Sequence, residues 1–192
     1  KSVKYSISNS IISKFIESLS FTLTSSQLNA INDIKTSFEK SYPTKRLVQG
    51  DVGSGKTIVA AIASLYATTS KLQVAVLVPT EILADQHTES FKNLFSDLSI
   101  NISCLKNKLK PSEKKLIMSS VSDGKIDILI GTHSLIGENV LFKNLGLVII
   151  DEQHKFGINQ RIKISSNNIK DFHPHEIYLS ATPIPRSLSL VL

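Results

Sequence analysis

The segment Gly50-Asp51-Val52-Gly53-Ser54-Gly55-Lys56-Thr57 stands between Arg46-Leu47-Val48-Gln49, which reads as a short buried strand, and an Ala- and Ile-rich stretch from Lys56 to Thr69. A strand, a glycine-punctuated turn and a helix in that order commit this part of the chain to an α/β fold. The glycines let successive backbone N–H groups turn inward around an anion with no Cβ in the way. The helix that follows aims its N-terminal dipole at the same point. The pattern Gly-x-x-x-x-Gly-Lys-Thr is therefore read as a phosphate-binding loop. Lys56 places a point charge on the β and γ phosphates of a nucleoside triphosphate, and Thr57 offers its hydroxyl to Mg²⁺.

The rest of the chain keeps alternating between strand and helix. Leu72 to Val78 reads as a second strand stopped by Pro79, and Thr80 caps a helix from Glu81 to Phe95. Residues 100–104 form a third strand and 112–122 a helix with Pro111 near its start. Residues 126–130, 147–150 and 176–179 complete six strands. Ahead of this alternation, Ile11, Ile12, Phe15, Ile16 and Leu19 recur at helical spacing, and Thr24 caps a second helix with Leu28, Ile31, Ile34 or Lys35, and Phe38 along one side. Short apolar strands separated by helices imply a mostly parallel sheet with helices on both faces. Ligands of such sheets sit beyond the carboxyl ends of the strands, so the loops after residues 49, 78, 130, 150 and 179 are expected to share one edge. No repeat or low-complexity tract is visible. Residues 1–20 read as a helical lead-in from a preceding domain or linker, and 21–192 as one nucleotide-binding domain. The chain starts at Lys1 rather than Met, and it is expected to be a piece of a larger protein.

Net charge is +6 and the pI is about 9.4, a balance that favours polyanionic partners such as nucleic acid. The run Lys106, Lys108, Lys110, Lys114 and Lys115 is read as a solvated face, with non-specific phosphate contact as the alternative. With a single cysteine, Cys104, no disulfide forms within the chain, which fits a reducing cytoplasm; Cys104 is read as a small strand residue. No apolar run approaches the roughly 20 residues a membrane span needs, and no signal peptide is seen.

Asp151-Glu152-Gln153-His154 leaves the apolar strand Leu147-Val148-Ile149-Ile150. An acidic pair at a buried strand end supplies what a phosphate loop lacks. Asp151 holds Mg²⁺ through its water shell, and Glu152 orients and polarises the attacking water as general base. Gln153 and His154 are candidates for sensing the γ-phosphate, although His154 also reads as an ordinary loop histidine. The other histidines, His87, His133, His173 and His175, lack zinc-like Cys/His spacing, and the His173-Pro174-His175 pair reads as loop.

These residues, with Lys155-Phe156-Gly157 and Gln160-Arg161, resemble the second motif of superfamily 2 helicases in the form typical of the RecG family. Ser180-Ala181-Thr182-Pro183-Ile184-Pro185-Arg186 resembles the third motif of RecG and of Mfd, the transcription-repair coupling translocase. Pro79-Thr80-Glu81-Ile82-Leu83-Ala84-Asp85-Gln86-His87 resembles their motif Ia, and Gly131-Thr132-His133-Ser134-Leu135-Ile136 the motif after the fourth strand. Phe21-Thr22-Leu23-Thr24 with Gln27 resembles an upstream element that recognises adenine. Mfd-like proteins usually carry Glu where this chain has Gln153, which favours the RecG form. The family usually has Arg where this chain has Lys155, a change that keeps the charge and loses the planar fork.

The resemblance implies a RecA-like P-loop NTPase fold, the first motor domain of an ATP-dependent DNA helicase that uses ATP and Mg²⁺. The family acts in recombination and repair on branched DNA and stalled forks. By resemblance Gln27 reads the adenine edge with Phe21 as a ring contact. Thr80, Glu81, Thr132 and His133 meet DNA, Ser180 and Thr182 couple the γ-phosphate to it, and Arg186 pairs with a phosphate or an acid. The implied partners are DNA and, in the full-length chain, a wedge domain and a second RecA-like domain. Neither domain follows from these 192 residues, so the isolated chain is expected to hydrolyse ATP very slowly. The rival readings are an Mfd-like translocase and a nucleotide-gated DNA-binding module without turnover.

Overall fold

The computed structural model describes residues 5–6, 8–132, 135, 140–152, 168–169 and 172–181. In chain order the elements are α1 (Asn9–Ser18), α2 (Ser25–Phe38), β1 (Lys45–Gln49), α3 (Lys56–Thr69), β2 (Gln73–Leu77), α4 (Glu81–Leu94), β3 (Ile102–Leu105), α5 (Pro111–Ser122), β4 (Ile128–Gly131), β5 (Leu145–Asp151) and β6 (His175–Ser180). The described strands form one sheet in the order β1-β6-β5-β2-β4-β3, and every pairing is parallel.

Period-two alternation along the central strands divides the core in two. Val74 and Val76 of β2 point to one face with Ile128, Ile130, Leu147 and Ile149, where α1 to α4 pack. Ala75 and Leu77 point to the other face, with Leu129, Val148 and Ile150, where α5 contributes Val121. A sheet covered on both faces explains why all five residues of β2 are buried. Helix α3 buries ten consecutive residues, Ile58 to Ala67. Ala60, Ala61, Ala63 and Ala67 let it press close to its neighbours, and fully buried Ile62 contributes about 1.5–3 kcal/mol. Helix α1 adds Ile12 and Phe15 to the same core, and the Phe15 ring meets Phe95 at 5.4 Å between centroids.

Two elements depart from expectation. Arg46 to Gln49, read as a buried strand, lies at the edge of the sheet, and Leu47 is 41% exposed. Among the described residues it pairs with one strand, β6. His175, read as loop, opens β6 and is fully buried. Its Nδ1 meets the Thr44 hydroxyl at 2.7 Å, and its ring packs against Phe38.

The order also explains how distant sequence segments meet. The crossover through α3 carries the chain from β1 past two vacant positions to β2, and β5 and β6 later fill them. The carboxyl ends of β1, β6 and β5 therefore stand side by side.

Candidate nucleotide site at the carboxyl edge of the sheet

The loop from Gly50 to Thr57 leaves β1 and enters α3. Gly50 N–H donates to Ser180 O at 3.2 Å, which stitches the start of the loop to the end of β6. Gly55 caps α3 from the left-handed region, at φ +81° and ψ +27°, a conformation that a Cβ makes costly. A Cβ there would also lie 2.2 Å from Gln27 Nε2. The Lys56 ammonium donates to the carbonyls of Gly50 at 2.6 Å and Asp51 at 2.8 Å. These bonds fold the side chain over the loop and leave one of its three N–H groups for a further acceptor.

Across the cleft, Asp151 ends β5 and Glu152 follows it. Glu152 N–H donates to Leu179 O at 3.0 Å, and its φ is +53°. A left-handed conformation at a non-glycine residue costs roughly 1–2 kcal/mol and is the kind of strain that gathers at working sites. A cavity of about 500 Å³ is lined by Lys56 and Thr57 from one wall and Asp151, Glu152 and Ala181 from another. The third wall is the inner face of α4, with Leu83, Gln86, His87 and Ser90. A second cavity of about 490 Å³ lies on the other side of the loop, against Thr24, Gln27, Val48 and Ser54. Lys56 borders both.

The remaining candidates fall as follows. Gln27 Nε2 donates to Ser54 O at 3.0 Å, so it touches the phosphate loop directly. Phe21 is 48% exposed and borders neither cavity. Thr80 caps α4, its Oγ1 accepting Leu83 N–H. The Glu81 carboxylate accepts Asn107 N–H at 3.1 Å and meets Lys108 at 3.7 Å, so it ties α4 to the loop after β3. Lys106 of the basic run donates to Asp85 at 2.7 Å. Thr132 is buried, and its hydroxyl has no partner among the described residues. Ser180 is buried at the end of β6. Gln153, His154, His133, Thr182 and Arg186 lie outside the described residues.

His87, which lines the cleft, was not singled out as a site residue from sequence. His87 Nε2 lies 3.2 Å from Asp151 Oδ2. The available signal was helical: Leu83, His87 and Ser90 recur at i, i+4 and i+7 along α4 and so face one way. Among the described residues no cluster of three His, Cys, Asp or Glu side chains forms a metal cage. No described helix is long and apolar enough to cross a membrane. Burial pushes the Cys104 thiol above its usual range, which keeps it protonated and unreactive at neutral pH.

A parallel sheet with a phosphate loop after its edge strand, and an acidic pair two strands away, defines a RecA-like P-loop NTPase domain. The sequence model of the DEAD/DEAH box helicases matches residues 24–191, and the chain belongs to that family. Members of the family use ATP. The chain is 48% identical over 190 residues to the ATP-dependent DNA helicase RecG of Aquifex aeolicus, which covers 99% of this chain and 24% of that protein. It is 43% identical over 190 residues to RecG of Bacillus subtilis, covering 99% and 27%. The solved structure of RecG bound to a three-way DNA junction superposes with a TM-score of 0.87 at 44% identity, over 98% of this chain and 25% of that one. The yeast DEAD-box splicing factor Prp28 superposes with a TM-score of 0.70 at 19% identity, over 96% and 46%, a likeness of fold alone. The chain spans about a quarter of the length of the RecG proteins it matches.

Proposed function

We propose that this chain is the first motor domain of a RecG-type ATP-dependent DNA helicase, in which ATP hydrolysis moves branched or forked DNA in recombination and repair. The observation that carries the reading is the single cleft in which the phosphate loop, the Asp151-Glu152 pair and the inner face of α4 meet. In this reading residues 1–20 lead in from a preceding domain and 21–192 form the motor unit, working in the cytoplasm with a wedge and a second RecA-like domain of the same chain.

Backbone N–H groups of the loop beyond Gly50, whose own N–H is held by Ser180 O, cradle the phosphates, Lys56 neutralises the β and γ oxygens, and Gln27 reads the adenine with Phe21 nearby. Thr57 and Asp151 suit Mg²⁺, because both offer oxygen and both line the cleft. A hydroxyl and one carboxylate do not make a cage, so the ion would be shared with the phosphates. When bound, Mg²⁺ supplies charge neutralisation for the transferred phosphoryl group. Glu152 holds and deprotonates the attacking water, and Gln153 and His154 serve as sensors of the γ-phosphate. Thr80, Glu81, Thr132, His133, Ser180, Thr182 and Arg186 then serve DNA contact and its coupling to the nucleotide. For Glu81 that role is indirect, through the loop it holds. The Mfd-like reading and the module without turnover are set aside on the identity to RecG proteins.

The test is ATP hydrolysis by the full-length protein with and without forked DNA. Forked DNA is expected to stimulate turnover, and Glu152→Gln to keep ATP binding while lowering turnover at least about 100-fold. A Glu152→Gln protein that hydrolyses ATP at the wild-type rate, or a wild-type protein indifferent to DNA, would sink the reading.

A further inference from the structure

His87 sits in the second turn of α4, buried with 9% of its side chain exposed, and edge-on to Phe91 at 6.3 Å between centroids. A carboxylate only accepts, so Nε2–H donates to Asp151 Oδ2 across the 3.2 Å that separate them. The other ring nitrogen, Nδ1, is buried and has no partner among the described residues. The bond to Asp151 is thus the polar attachment of a ring that an apolar side chain would replace at lower cost. Asp151 itself is nearly enclosed, with 13% of its side chain exposed. Holding Oδ2 fixes the plane of the carboxylate and leaves Oδ1 as the oxygen for the cleft. Groups that hydrogen-bond a metal-ligating carboxylate set its orientation and its affinity for the ion.

We propose that His87 is a positioning residue: it holds Asp151 through Oδ2 so that the second oxygen is presented to the Mg²⁺ that accompanies the triphosphate. This rests on the reading of Asp151 as the metal-holding carboxylate. It makes α4 part of the metal site.

The experiment is a Mg²⁺ titration of the binding of a fluorescent, non-hydrolysable ATP analogue to the full-length protein, with a parallel measurement in EDTA. His87→Phe keeps a ring and removes the donor. His87→Gln places an amide N–H at about the reach of Nε2. His87→Asn keeps a donor too short to arrive, and it stands in if the Phe variant does not fold. His87→Phe and His87→Asn are expected to need about tenfold more Mg²⁺ for half-maximal tightening. His87→Gln should recover to within about threefold of wild type, and affinity in EDTA should be unchanged in all. Unchanged Mg²⁺ midpoints in the Phe and Asn variants overturn the proposal. So does a loss in EDTA of equal size in all three variants, which marks a packing role only. A wild-type protein whose binding ignores Mg²⁺ overturns the metal reading of Asp151 first, and this one with it.

Discussion

Gln27 Nε2 donates to Ser54 O at 3.0 Å and so ties α2 to the phosphate loop. The same side chain accepts Thr24 N–H on Oε1 at 2.8 Å, while Thr24 Oγ1 accepts Gln27 N–H at 3.2 Å. One glutamine therefore closes the capping box of α2 and braces the loop. It keeps one N–H and one lone pair for an adenine edge. Gln27→Ala removes all three contributions. ATP affinity should fall about tenfold, more than GTP affinity, which lacks the adenine term. Loss of the Thr24 N–H bond, half of the capping box, should cost about 0.5–1 kcal/mol and lower the melting midpoint by about 1–4 °C. Nucleotide titration and thermal unfolding measure the two effects, and wild-type ATP affinity would refute the bracing role.

Lys56 tests the loop from the other side. Among the described residues its bonds run to the loop carbonyls of Gly50 and Asp51, at a half-buried position. Lys56→Ala should therefore leave the melting midpoint within about 2 °C of wild type, in the range of a surface change. Triphosphate binding should weaken at least about 100-fold, since charge-assisted bonds to phosphate are the strong ones. Calorimetric titration alongside thermal unfolding separates these outcomes. A large loss of stability would mean that the loop depends on its lysine to fold.

Much of this was legible in the sequence because two periodicities and two caps carry it. The unbroken apolar run Val74-Ala75-Val76-Leu77-Val78 marked a strand buried on both faces, and Thr24 and Thr80 marked where α2 and α4 begin. Strand order was not legible, because nothing local records that β5 and β6 separate β1 from β2. That order puts β1 at the edge and exposes Leu47. The His87–Asp151 bond joins residues 64 positions apart, and only the crossover through the sheet brings them together. The left-handed Glu152 was hidden for a different reason: glutamate carries no preference for that region, so the tertiary structure alone imposes it.

Gly131 ends β4 inside the Gly131-Thr132 turn. A Cβ there would lie 2.6 Å from Leu105 O and 3.0 Å from Leu135 Cγ. The first contact is backbone, in the register pair Leu105↔Gly131, so relief must come from moving β3 off β4. Gly131→Ala is expected to cost about 1–3 kcal/mol. In urea the midpoint should fall with an unchanged slope. A wild-type midpoint would show that β3, at the sheet edge, yields freely.

Tyr5 is the alkaline weak point. Its hydroxyl donates to Gly146 O at 2.9 Å, and its ring stacks on Phe38 at 4.4 Å. Burial holds its ionisation well above the ordinary value of 10.0. The unfolded chain gives up this proton first, so the folded state binds more protons as pH rises through 10. Ionisation of Tyr5 leaves stability unchanged below that pH and lowers it above, by up to about 1.4 kcal/mol per pH unit. Tyr66, raised by burial and then by Glu39, acts in the same sense. Tyr5→Phe should cost about 1 kcal/mol near neutral pH for the lost bond and make the decline between pH 10 and 11 shallower. Unfolding free energies across that range decide it, and an unaltered slope would place the loss elsewhere.

Glu152 sets stability against function at one backbone position. At φ +53°, asparagine is tolerated, glutamate is strained, and a β-branched side chain is a genuine outlier. Urea midpoints should therefore rank Glu152→Asn at or above wild type and Glu152→Val below it. Valine and asparagine are both smaller than glutamate, so crowding does not produce that order. The Asn variant is expected to gain up to about 1 kcal/mol and, lacking a base that reaches the water, to lose hydrolysis at least about 100-fold. A stabilised but inactive protein would mean that the chain tolerates a bent backbone after β5 in order to aim this carboxylate. If Val equals Asn in stability, the positive φ carries no strain and that explanation of the turn fails.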